Sequence, residues 1–76
     1  MPHIEIKSFP RELTPEQTKE FADAITQLMQ QYLECRDGAV SIALKYVPRE
    51  EWKSSVWETQ IAPEMAQLIK APDYQL

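Results

Sequence analysis

The stretch TPEQTKEFADAITQLMQQYL, residues 14–33, decides the fold, because it separates two segments with a different hydrophobic period. Thr14 is suited to cap a helix, Pro15 fits the first helical position, and Gln17 completes a capping box. Glu16 puts a negative charge at the positive end of the helix dipole. Apolar residues then recur at Phe21, Ile25, Leu28, Met29, Tyr32 and Leu33, the spacing of one helix face. Asp37-Gly38 is expected to end the helix, with Gly38, the single glycine, in a left-handed cap or turn.

On the N-terminal side, Ile4 and Ile6 alternate with His3, Glu5 and Lys7. This is the pattern of a half-buried strand, anchored by Phe9 and stopped by Pro10. On the C-terminal side, Val40, Ile42, Leu44 and Tyr46 alternate with Ser41, Ala43 and Lys45. Strand, long helix, strand predicts two parallel strands joined by a right-handed crossover, with the helix over one face. The segment Val47 to Trp52 reads as a turn or one helical turn, in which Arg49-Glu50-Glu51 is solvated. A second helix is predicted from near Trp57 through Lys70, with Ile61, Met65, Leu68 and Ile69 as its apolar face. Pro63 either kinks it or starts a shorter helix at Ala62 or Pro63, and Pro72 ends it. The fold class is α+β, and residues 1–76 are expected to form one domain.

A chain of 76 residues has little core to bury and needs a staple. The lone cysteine, Cys35, excludes an internal disulfide, and with the lone histidine, His3, it is too little for a structural zinc site. Association is the staple that is left. Two strands alone leave exposed edges, and a two-fold dimer would complete a four-stranded sheet. The net charge of −4 and the scattered basic residues exclude a phosphate-backbone footprint, so no nucleic-acid partner is expected. There is no secretory leader and no apolar run of spanning length. With the free thiol, this predicts a cytoplasmic protein without a membrane partner.

Met1-Pro2 carries the chemistry. A small residue after the initiator methionine favours removal of Met1, which leaves Pro2 with a free secondary amine. An α-amino group titrates at about 7.7–8.0 in model peptides, and burial or a nearby cation lowers that value. Pro2 is therefore a candidate general base poised near working pH. His3 reads as a surface or interface residue, Trp57 as packing, and Cys35 as an inert thiol.

Together, Met1-Pro2 opening a strand, Phe9-Pro10-Arg11-Glu12-Leu13-Thr14-Pro15-Glu16-Gln17 leading into a helix, and Val40-Ser41-Ile42-Ala43-Leu44 resemble the 4-oxalocrotonate tautomerase family. The run Trp52…Trp57-Glu58-Thr59-Gln60-Ile61-Ala62-Pro63-Glu64-Met65 is similar to its dimeric branch, the PptA-type bacterial tautomerases. The resemblance covers nearly the whole chain. It implies a β-α-β tautomerase fold (the MIF-like fold) that dimerises, and a cofactor-independent, metal-free keto–enol tautomerase. Pro2 matches the family's catalytic base. Arg11 is the nearest match to an arginine that binds the substrate carboxylate, with a one-residue gap. Ser41 stands where the family has a second, carbonyl-polarising arginine, and Trp52 where it has a phenylalanine that keeps the proline pocket apolar. One cation and a tryptophan wall imply an aromatic monoacid such as phenylenolpyruvate rather than a dicarboxylate. The missing arginine at Ser41 leaves a second reading, a non-catalytic dimeric interaction module on the same fold.

Overall fold

A computed structural model describes residues 1–76. Strand β1 spans His3–Ser8, helix α1 Pro15–Leu33 and strand β2 Ser41–Tyr46. The strands pair in parallel, from His3 beside Ser41 to Ser8 beside Tyr46, without a break. Strand alternation then puts Ile4, Ile6, Ile42 and Leu44 on one face, and His3, Glu5, Lys7, Ser41, Ala43 and Lys45 on the other. Gln17 and Phe21 of α1 meet Ile6 and Leu44 around a shared hollow, so the helix lies over the apolar face, as its stripe predicts.

The helix start is the one its residues encode. Thr14 Oγ1 accepts from the Gln17 backbone N–H at 3.1 Å, and Gln17 Oε1 accepts from the Thr14 N–H at 3.0 Å. Both donors would otherwise lack an intrahelical partner. Thr14→Ala is expected to cost about 1 kcal/mol, read as a lower urea midpoint with an unchanged slope.

The helix end differs from expectation. It falls at Leu33, and the left-handed residue is Glu34, with φ 51° and ψ 56°. Gly38 sits instead in a short 3₁₀ turn, Asp37–Ala39, without a positive φ. What Gly38 supplies is room: Arg36 Nη1 lies 2.7 Å from where a Cβ would be.

The polar face carries an ion pair between Lys45 and Glu5. The hydrogen bond from Lys45, and then its charge, hold the Glu5 carboxyl below its ordinary value of 4.5. A group depressed in the folded state stabilises above its unfolded value, and the contribution is lost as pH falls through the folded one. Lys45→Met is therefore expected to flatten the fall in Tm below pH about 4.5. Because the pair is exposed, it should change Tm little at neutral pH.

After β2, a 3₁₀ turn at Arg49–Glu51 leads into α2, Lys53–Ile61. This helix starts and stops earlier than the apolar pattern predicts, and it is wound in the wider π form. Its last bond runs from the Ala62 N–H to the Trp57 carbonyl, five residues back. Pro63 has no N–H to continue that ladder. The chain turns, makes a short 3₁₀ turn at Met65–Gln67, and runs on without further regular structure.

The protomer has almost no closed core. Only Val56 and Trp57 are buried, and no residue of α1 is. Leu28, Tyr32 and Leu33 of the helix stripe are 50%, 72% and 59% exposed. The accessible surface is 6278 Å², whereas a compact chain of this mass exposes about 4,800 Å². The radius of gyration is 14.2 Å, against about 11 Å for a compact domain of this length.

Candidate active site

The four residues singled out from the sequence fall at two ends of the sheet. Pro2 and Ser41 are neighbours at the start of the strands, where the Ser41 N–H donates to the Pro2 carbonyl at 3.2 Å. The Ser41 hydroxyl is already engaged: its Oγ and His3 Nδ1 are hydrogen-bonded at 2.7 Å. Met1 is fully exposed, and Pro2 behind it is half-buried.

Trp52 lies at the other end. Its indole packs edge-on against Phe9, with ring centroids 5.2 Å apart and planes at 80°. From Pro2 to Phe9 the extended chain covers roughly 23 Å at strand rise. Around the Phe9–Trp52 pair is a groove of about 610 Å³, lined by Lys7, Ser8, Phe9, Arg49, Trp52, Lys53, Tyr74 and Leu76. The Trp52 indole N–H donates to the Tyr74 hydroxyl at 3.0 Å, which satisfies a polar group on an otherwise apolar wall. Tyr74 also packs on Trp57, centroid to centroid 5.4 Å.

The wide turn of α2 accounts for that shared contact. In an α-helix, residues five apart point about 140° away from each other. The wider winding after Trp52 lets Trp52 and Trp57 both reach Tyr74.

Arg11 does not line this groove. It lines a second hollow, about 250 Å³, with Ile6, Leu13, Gln17, Phe21, Leu44 and Tyr46 on the helix side of the sheet. Its backbone is tied down there: the Tyr46 hydroxyl donates to the Arg11 carbonyl at 2.5 Å. The two hollows share only Ser8.

The groove holds residues that sequence reasoning left out. Arg49, read as part of a solvated turn, places its guanidinium carbon 4.3 Å from the centroid of the Phe9 ring. Its spacing from Trp52 was the available signal, since residues three apart in a helical turn share a face. Tyr74 had no such signal, because a docked tail is a tertiary event.

A strand that begins just after Pro2, a helix over it and a parallel return strand form a unit that can be compared as a whole. The family profile described as Tautomerase, "Tautomerase enzyme", matches residues 2–55. The chain belongs to the tautomerase family. Proteins named Tautomerase PptA are similar to it over the full length of both chains. That of Klebsiella pneumoniae is 49% identical, and those of Cronobacter sakazakii and Escherichia coli are each 45% identical over 76 residues. The β-α-β tautomerase fold expected from the sequence is the one observed, and the protein is an isomerase of the tautomerase type. None of its helices is long and apolar enough to cross a membrane.

Proposed function

We propose that this tautomerase works as a cytoplasmic homodimer in which Pro2 of one protomer, freed by removal of Met1, is the general base over the Phe9–Trp52 groove of the partner. The separation of Pro2 from that groove carries the reading. Strand β1 has one edge on β2 and one edge free. A two-fold axis at Ile6, perpendicular to the sheet, pairs two copies of β1 antiparallel along the free edge. Glu5 then opposes Lys7 and His3 opposes Phe9, because opposed residues share a face and each pair sums to the same even number, so Pro2 falls next to the partner's Phe9. The sheet becomes four-stranded, and two equivalent sites form. The excess surface of roughly 1,500 Å² per protomer is what a permanent dimer interface removes from water.

The substrate fits as an enol of a 2-oxo acid, with phenylenolpyruvate as the type. Its ring stacks against Phe9 and Trp52, and its carboxylate faces a groove lined by Lys7, Arg49 and Lys53 and by no Asp or Glu side chain. The unprotonated Pro2 nitrogen takes the proton of the enol hydroxyl. As the C–O bond becomes a carbonyl, the enol double bond hands its electron pair to the adjacent carbon, which takes a proton back from the Pro2 ammonium. The net change is a 1,3-proton shift that consumes no cofactor. Charge on the enolate oxygen calls for a hydrogen-bond donor. Ser41 and backbone N–H groups beside Pro2 are the candidates.

Subunit complementation tests the shared site. Pro2→Ala protein is unfolded and refolded with Trp52→Ala protein, and ketonisation of phenylenolpyruvate is followed. Each parent should be nearly inactive. The mixed dimer should regain up to half of the wild-type activity per dimer, because one of its two sites unites an intact Pro2 with an intact groove. No recovery in a mixed dimer shown to have formed would sink the shared-site reading.

A further inference from the structure

We infer that Arg49, and not Arg11, is the residue that binds the substrate carboxylate. The inference rests on the tautomerase reading of the groove and adds its specificity-determining residue. Lys7, Arg49 and Lys53 line the Phe9–Trp52 groove, and no Asp or Glu does. The ion pairs of the chain, Lys19–Asp23 and Lys45–Glu5, use none of the three. Glu50 and Glu51 follow Arg49 in sequence but stay outside the lining. In a chain with net charge −4, this is an electropositive, aromatic-walled pocket.

Of the three cations, Arg49 is the one fixed in place. Its guanidinium carbon lies 4.3 Å from the centroid of the Phe9 ring, a cation–π contact that neither lysine makes. The same ring packs against Trp52. A planar, doubly donating group held against an aromatic wall suits a carboxylate conjugated to a flat hydrocarbon. The guanidinium takes both oxygens, and the rings take the remainder. Arg11 lines the hollow on the helix side, with its carbonyl held by Tyr46, and shares no lining residue with the groove except Ser8. In the dimer argued above, Phe9 faces the partner's N-terminus, so a carboxylate on Arg49 presents the adjacent enol to Pro2.

The test uses (E)-cinnamate, a conjugated aromatic carboxylate that cannot tautomerise, and its neutral amide. Binding of each to the processed wild-type dimer, Arg49→Gln, Arg49→Lys and Arg11→Gln is measured by calorimetry. Circular dichroism and oligomer size confirm that each variant is folded. The expected result is a loss of about ten- to hundred-fold in cinnamate affinity for Arg49→Gln, the size of a charge-assisted hydrogen-bonded pair. Arg49→Lys should recover part of it, Arg11→Gln should stay within about two-fold of wild type, and the amide should bind weakly and alike throughout.

Phenylenolpyruvate kinetics on the same proteins should show KM raised by Arg49→Gln with kcat changed much less. Loss on Arg11→Gln with Arg49→Gln unaffected overturns the assignment, as does failure of the wild type to prefer cinnamate over the amide. Turnover that depends on Pro2, with an unchanged KM in Arg49→Gln, also overturns it and leaves the tautomerase reading intact. Arg49-dependent cinnamate binding without Pro2-dependent turnover supports the carboxylate site and removes the catalytic reading instead.

Discussion

Pro2→Ala, processed to the same N-terminus, is expected to lower kcat for enol ketonisation by about 10²–10⁴-fold, the range removed with a positioned general base. KM should move little, since in the proposed dimer the aromatic and cationic contacts lie on the other protomer. Alanine keeps an α-amino group, so the residual rate belongs to a primary amine on a more mobile terminus. A second variant separates the amine from the ring. An extra lysine between Met1 and Pro2 blocks methionine removal and leaves the Pro2 nitrogen in an amide, whose lone pair is delocalised into the carbonyl. That protein should be less active than Pro2→Ala, although every groove residue is intact. Mass spectrometry of each N-terminus, followed by initial rates, is the measurement. Equal activity in wild type and the lysine-extended protein would mean that the nitrogen of Pro2 is not the base.

Trp57→Ala carries the largest expected loss of stability. Trp57 is only 7% exposed and is one of the two buried residues of the protomer, beside Val56. Truncating a buried tryptophan costs about 3–5 kcal/mol, from lost transfer energy and the cavity left behind. A small domain has about 5–15 kcal/mol in total. Trp57 also stacks on Tyr74, which receives the Trp52 N–H, so the truncation loosens the tail and one wall of the groove together. Urea unfolding followed by circular dichroism, at one fixed protomer concentration, should show a large fall in midpoint. Trp57→Phe should lose less, because it keeps an aromatic partner for Tyr74. A Trp57→Ala protein with an unchanged midpoint would mean that the interface between protomers, rather than this pair, supplies the stability.

The contrast between α1 and α2 shows how far local pattern reaches. The start of α1 was legible because a capping box is local chemistry: Thr14 and Gln17 satisfy each other's backbone whatever surrounds them. The two strands were legible because alternation matches their pleat, and their parallel direction follows from the crossover between them. The region after Trp52 was not. An apolar face counted at an α-helical period ran past Pro63, while the chain wound α2 more widely and ended it before that proline. The end of α1 was misread for a similar reason: Glu34 took the left-handed position that glycine would favour, and Gly38 lies in the 3₁₀ turn that follows, without a positive φ.

By itself, the sequence determined that two parallel strands flank a capped amphipathic helix, that so small a chain has little core to bury, and that Pro2 stands next to the first strand. These properties depend on neighbours in the chain, on composition, or on one residue's position. Only the tertiary structure decided what stands around the groove. It set Arg49 over Phe9, turned Trp52 and Trp57 toward one tyrosine near the end of the chain, sent Arg11 to the helix side of the sheet, and put Pro2 a strand's length from the aromatic wall. Each of these is a meeting of residues distant in sequence or a choice between two faces of a sheet. Such choices are made by packing, which no local pattern encodes.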